Sequence, residues 1–268
     1  MIANCKPISH GKAAAEYDLK KEIDGHHVAQ ELLRRNVFGI DGKEIVKEMQ
    51  EHQAKSKHRL KNAFFRIEIS PAREENAANW SDSQWQQVIN EYSQRMGILN
   101  AQALWVLHRE TDHDKELVHV HGLVSRIDND GNLLSDKFSQ KRSIDVITKM
   151  TAERGHKTAD EVSKDLRATI KEKCRNALRT LENYDFEDFC LACKEEGVTV
   201  RPNLSASGHR NGYYLSMDGG REFKASQIDR ALTDKRIELT WRTEREDYER
   251  EREQDNDLEQ GWGRIFKR

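Results

Sequence analysis

The sequence predicts an α+β fold: an antiparallel sheet with helices packed on one face, a helical amino-terminal segment, and a charged carboxy-terminal helix or tail. Three observations lead there. Short runs read as strands at 63–69, where apolar residues stand at alternate positions, and at 101–109 and 116–127. Amphipathic helical patterns lie between and after them, at 80–96 and 145–181. The 268 residues are 34% charged and only 36% hydrophobic, with a mean hydropathy of -0.92, which fits a modest core under solvated helices.

Residues 1–61 read as polar and helix-prone, with short helices at 12–22, 26–35 and 42–54 broken by Asp24-Gly25 and Asp41-Gly42. The first strand, AFFRIEI, puts Phe65, Ile67 and Ile69 on one face, and Pro71 ends it. In WSDSQWQQVINEYSQRMG, Ser81 or Ser83 caps a helix whose Trp85, Val88, Ile89, Tyr92 and Met96 recur at helical spacing, and Gly97 stops it. Strands 101–109 and 116–127 follow, the second closed by Asn129-Asp130-Gly131. The helix over 145–181 is interrupted near Gly155, and a short helix at 185–195 leads through Gly197 into a strand at 198–201. A hairpin comes next, turning at Asn211-Gly212 or Asp218-Gly219-Gly220, then a helix at 226–232. The charged, apolar-poor segment after 235 divides the chain into a domain at 1–235 and a tail at 236–268.

Several classes are excluded. No window approaches the roughly 18 apolar residues of a membrane span, and residues 1–21 lack a signal-peptide stretch, so no membrane insertion and a cytoplasmic location are expected. Four cysteines are too few for a disulfide scaffold and imply a reducing compartment; Cys190 and Cys193 have no second pair and no nearby histidine, and read as inner and edge positions of a short helix. The 45 Lys and Arg against 47 Asp and Glu argue against a general basic coat, although a local basic groove fits within a balanced total.

Chemistry concentrates in LHRETDHDKELVHVHG. On a strand, His119 and His121 point the same way, and His108 on the neighbouring strand can join them. Three neutral imidazoles suit a divalent transition metal and leave coordination positions open, as a Lewis-acid site requires. The apolar flanks bury the pair of strands, where three polar rings without partners would be costly. His113, in the intervening loop, is the rival third ligand; Glu110, Asp112 and Asp114 are close enough in sequence to fix the tautomers of the rings.

LHRETDHDKELVHVHGLVSRIDNDG resembles the metal motif of conjugative relaxases of the mobilisation type, within the His-hydrophobic-His (HUH) endonucleases. FFRIEISPAREENAANWSDSQWQQVINEYSQRMGI is similar to the strand-Ser-Pro-helix element before that motif, and GVTVRPNLSASGHRNGYYLSMDGGREFKASQIDRALT looks like the carboxy-terminal element. The resemblance covers about residues 5–235 and departs at Ser125-Arg126, where the family commonly has Asn before the basic residue. It implies the HUH, ferredoxin-like fold and a site-specific transesterase. Such an enzyme nicks and rejoins single-stranded DNA at a transfer origin with Mg²⁺ or Mn²⁺, Zn²⁺, Ni²⁺ or Co²⁺ being further options. The implied partners are the origin strand and its adjacent inverted repeat, an accessory relaxosome protein and a type IV coupling protein, with the chain a monomer in the bacterial cytoplasm. The alternatives are a rolling-circle replication initiator of the same chemistry, against which the order of motifs argues, and a DNA-binding accessory protein with a structural metal.

The resemblance also implies a tyrosine nucleophile near the amino terminus. Of six tyrosines, Tyr92 lies on an apolar stripe, Tyr184 between helices, Tyr213 and Tyr214 in a hairpin and Tyr248 in the tail; Tyr17 stands in the polar segment SHGKAAAEYDLKKE. Its activation falls to the metal, to nearby lysines or to an acidic base, with Asp112 and Glu110 the candidates. Candidate DNA contacts are Lys12 and Lys20 near the tyrosine, Lys57, Arg59 and Arg66 in the densest basic run, Arg126 and Lys141 after the histidines, and Arg201 and Lys224 in the carboxy-terminal element.

Overall fold

The computed structural model describes residues 1–23, 25–109, 118–217 and 219–265. They form two compact units, Met1–Ala159 and Asp160–Arg268. The composition had suggested a division near 235.

The first unit is built on a five-stranded sheet with β1 (Ile2–Ile8), β4 (Ala29–Arg35), β5 (Phe64–Ser70), β6 (Ala101–His108) and β7 (His119–Asp128) in the order β1-β5-β7-β6-β4, every neighbouring pair antiparallel. A small hairpin of β2 (Glu22–Ile23) and β3 (His26–His27) stands apart from it. The α+β class and the antiparallel sheet are as expected; the helical layer is not. Helices flank both faces rather than one. On one face, α3 (Asp82–Met96) and α4 (Ser139–Glu153) pack Trp85, Ile89, Tyr92, Ile147 and Met150 against Phe65, Ile67, Trp105 and Val120. On the other, α1 (Gly11–Leu19) and α2 (Gly42–Ala54) pack Ala15, Ile45, Val46 and Met49 against Phe64, Leu104, Val106 and Leu123. The histidines lie on this second face.

The helical reading of the amino terminus is corrected at two places. Both edge strands come from it. β1 buries only small residues, Ala3 and Cys5, on its inner side and carries Pro7, which an edge strand tolerates. β4, AQELLRR, consists of good helix formers, yet pairing with β6 prevails over their propensity. A register shift between Glu31 and Leu33 leaves the Leu32 carbonyl to accept a 2.8 Å bond from Gln86 on α3.

α3 follows its sequence signals closely: Ser81 and Gln84 form a capping box and Gly97 takes the left-handed conformation with φ +71° at its end. Gly122 on β7 has a packing role, because a Cβ there would lie 2.5 Å from the ring of the buried Trp105.

The second unit joins α5 (Ala159–Thr180) and α6 (Phe186–Glu195) to a three-stranded antiparallel sheet of β8 (Val198–Leu204), β9 (Arg210–Met217) and β10 (Phe223–Lys224), followed by α7 (Ala225–Ile228) and α8 (Ile237–Ile265). Its core contains Ile170, Leu178, Phe189, Leu215 and Phe223. Cys174 and Cys193 are buried as free thiols with sulfurs 3.9 Å apart, and Cys190 is half-buried, in keeping with a structural role. The first hairpin turns at Ser205–His209; Asn211-Gly212 lies inside β9 instead. α8 is helical as expected, and its first turns pack Ile237 and Trp241 on this core. Among the described residues no helix is long and apolar enough to cross a membrane.

Candidate metal centre

The register of the sheet gathers the histidines. His108 pairs directly with His119 across β6 and β7, and His121 lies two residues further along the same face. One nitrogen from each ring lies within 4.8 Å of one from each of the others, and the ring centroids are 4.7–5.2 Å apart. His108 and His121 are buried, at 0% and 7% exposure, while His119 is half-buried. Burial, with the Arg66 and Lys21 charges adding to it, pulls the pKa of His108 and of His119 down to about 4 and that of His121 to about 2. All three rings are therefore neutral at pH 7, the form that coordinates a metal.

One atom makes the fit specific. Nε2 of His108 donates to the Asp18 carbonyl at 2.9 Å, which fixes the tautomer and leaves a lone pair on Nδ1. That Nδ1 is buried and has no hydrogen-bond partner among the described residues. A divalent ion is the partner such an atom lacks, and a three-imidazole donor set suits one.

α1 supplies the rest of the site. Tyr17 is 54% exposed, and its ring stands edge-on to that of His108 with centroids 6.1 Å apart. Lys21 donates to the Tyr17 phenol oxygen at 3.3 Å. Asp18, next in the chain and 1% exposed, pairs through both carboxylate oxygens with Arg66 of β5. Arg66 also donates to Nδ1 of His121 at 3.1 Å. A metal-holding His121 must give up this contact. If it coordinates through Nδ1 no lone pair remains there, and if it coordinates through Nε2 the ring proton sits on Nδ1. Asp18 then keeps Arg66 in place.

The structure brings His108, His119, His121, Tyr17 and Arg66 together. Glu110, Asp112, His113 and Asp114 lie outside the described residues. Lys12, Lys20, Lys57, Arg59 and Lys141 are exposed in the first unit, and Arg201 and Lys224 in the second. Arg126 differs: it is 4% exposed, pairs with Asp136 at 3.0 Å and donates to the carbonyls of Asn62 and Leu134, so it is committed to holding the chain and not open to DNA. Ser125, where the relaxase pattern has Asn, is buried and exchanges hydrogen bonds with Gln53 and the Ile127 backbone. Among the other tyrosines, Tyr92 and Tyr213 are buried, with burial pushing their phenols up.

One residue escaped sequence reasoning: Asp18 acts on the site, and its only signal was its position beside Tyr17. Lys21 is one of the lysines expected near the phenol.

A family model described as relaxase, MobA/VirD2-like, nuclease domain, matches residues 17–156. A search of curated proteins finds no match. The matched span contains Tyr17, Arg66 and all three histidines.

Proposed function

The chain belongs to the MobA/VirD2-like relaxases through their nuclease domain, and on that premise we propose that it nicks and rejoins one DNA strand at a transfer origin by metal-dependent transesterification, starting the conjugative mobilisation of a plasmid or transposon. The observation that carries this reading is the exposed Tyr17 phenol, edge-on to a histidine whose buried Nδ1 has no partner among the described residues.

His108, His119 and His121 would hold the ion, Mg²⁺ or Mn²⁺ first among the candidates. Bound there, it supplies Lewis-acid polarisation of the scissile phosphate. Three protein ligands leave coordination positions open, which favours a catalytic ion over the closed structural site of an accessory protein.

Tyr17 is the nucleophile. Its phenol oxygen forms a bond to phosphorus while the bond to the 3′-oxygen breaks; the phenol proton passes to a base, Asp112 or Glu110, and the departing oxygen takes a proton from solvent. The products are a 5′-phosphotyrosine and a free 3′-hydroxyl, so the reverse attack can rejoin the strand. Lys21 donates to the phenol oxygen and holds it beside the site. Arg66 faces the same site and offsets phosphate charge. Lys12, Lys20, Lys57, Arg59 and Lys141 contact the DNA backbone, including the inverted repeat beside the nick. The chain works as a monomer in the bacterial cytoplasm, with an accessory relaxosome protein and a coupling protein.

The test uses tiled single-stranded oligonucleotides from the DNA flanking the gene for this chain, with Mn²⁺. One tile should give a slower, denaturant-resistant band that Tyr17→Phe abolishes. An equal band from Tyr17→Phe refutes the nucleophile, and no band with any tile or metal refutes the transesterase reading.

A further inference from the structure

In the second unit, Tyr214 of β9 pairs directly with Arg201 of β8 on one side and Lys224 of β10 on the other. The three residues therefore form one row across the sheet, on the face opposite the core residues Leu215 and Phe223. The Arg201 guanidinium lies 4.4 Å over the Tyr214 ring and is anchored to Glu222 at 2.6 Å.

Two positions before Tyr214 on the same face stands Gly212, in the left-handed region at φ +108°. A Cβ added there would meet nothing within 4 Å, so the space beside the ring is open. A cavity of about 590 Å³ occupies it, lined by Asn203, Gly212, Tyr214, Lys224 and Lys235 among others. Arg201 is not among the residues that line it.

The charge of the lining is one-sided. Arg210 and Asp234 neutralise each other at 2.8 Å. Lys224 and Lys235 have no carboxylate partner among the described residues, and they leave a surplus of two positive charges. The volume falls within the roughly 300–1,000 Å³ of small-ligand pockets, enough for a nucleotide. Every one of these residues lies outside the matched span 17–156.

An aromatic ring, an open space beside it and unpaired cations are what an unstacked base and its flanking phosphates require. We propose that this face is a second contact for single-stranded DNA, which places one base against Tyr214 in the space left by Gly212 and holds the neighbouring phosphates with Lys224 and Lys235. A duplex keeps its bases stacked and offers the ring nothing. The proposal rests on single-stranded DNA being the substrate of the first unit, and adds a site that the nicking chemistry does not itself use.

The experiment measures binding of fluorescein-labelled oligo(dT) to the full chain by anisotropy, and maps cross-links from an iododeoxyuridine oligonucleotide. Tyr214→Leu should bind roughly five- to a hundredfold more weakly, the span of base–aromatic stacking, and Tyr214→Phe should bind as wild type. The Lys224→Gln/Lys235→Gln pair should reduce the slope of log affinity against log salt by about 1.4, at about 0.7 per phosphate of a single strand. Cross-links should fall in the peptide carrying Tyr214. Wild-type affinity in Tyr214→Leu, equal weakening by Phe and Leu, or cross-links confined to residues 1–159 would overturn it. Adduct formation on the nicked tile reports the first unit separately: an adduct with no Tyr214 effect sinks only this site, and Tyr214-dependent binding without any adduct sinks only the nuclease reading.

Discussion

Replacing Asp18 with asparagine keeps the shape of the side chain and removes the charge that faces Arg66. Asp18 is 1% exposed and the Arg66 side chain 21%, and burial pulls the Arg66 pKa down to about 10. Removing one partner of a buried ion pair costs roughly 3–5 kcal/mol, and the lower end, about 3 kcal/mol, suits a pair whose arginine keeps some solvent access. For a unit of 159 residues, at about 2–4 °C per kcal/mol, Asp18→Asn should lower the melting temperature by about 6–12 °C. The assay is circular-dichroism melting of metal-free protein at pH 7, completed as a cycle with Arg66→Leu. The double variant should be at least about 1 kcal/mol more stable than the sum of the single effects predicts. A melting point for Asp18→Asn within about 2 °C of wild type, or strictly additive effects, would refute the pairing as the reason Arg66 is tolerated there.

Three further outcomes are expected. Gly122→Ala drives a Cβ to 2.5 Å from the buried Trp105 ring and should cost about 1–3 kcal/mol in denaturant melts, with weaker metal binding because β7 carries His121. Saturating Mn²⁺ or Ni²⁺ at about a hundredfold excess over its dissociation constant should stabilise the protein by about 2.7 kcal/mol, and EDTA, His108→Ala or His121→Ala should abolish this in thermal-shift measurements. The metal-free protein should lose stability as pH falls from about 6.5 towards 4. Burial depresses the folded-state histidine pKa values, so the unfolded chain takes up protons first; stability present above the unfolded value is lost through that window, and a flat urea midpoint between pH 7 and 4.5 would contradict it.

The centre of the first unit was legible because its signals are local. Alternation in β5, the short apolar runs of β6 and β7, the capping box of α3 and the parity of His119 and His121 all follow from the local sequence, and the register of two adjacent strands then brings in His108. The edges were not legible. β4 is written in helix-forming residues and becomes a strand only because β6 offers it hydrogen bonds, and β1 hides its inner face in Ala3 and Cys5. The apolar stripe of α2 was readable, but nothing local says on which face of the sheet Ile45 and Met49 dock. Asp18 works through a backbone carbonyl and a pairing 48 residues away, neither of which leaves a mark in a motif. Arg126 was misread for the converse reason: a basic residue after the histidines looks like a DNA contact until its burial is seen.

The nucleophile is the claim on which the functional reading turns, and mass spectrometry of the covalent adduct tests it most directly. Wild-type protein, the reactive tile and Mn²⁺ should give, after nuclease trimming and proteolysis, a nucleotide-modified peptide whose modified residue is Tyr17, and Tyr17→Phe should give none while melting within about 1 °C of wild type, since the ring is 54% exposed. A modified residue at any other tyrosine, or an adduct that survives in Tyr17→Phe, would contradict it.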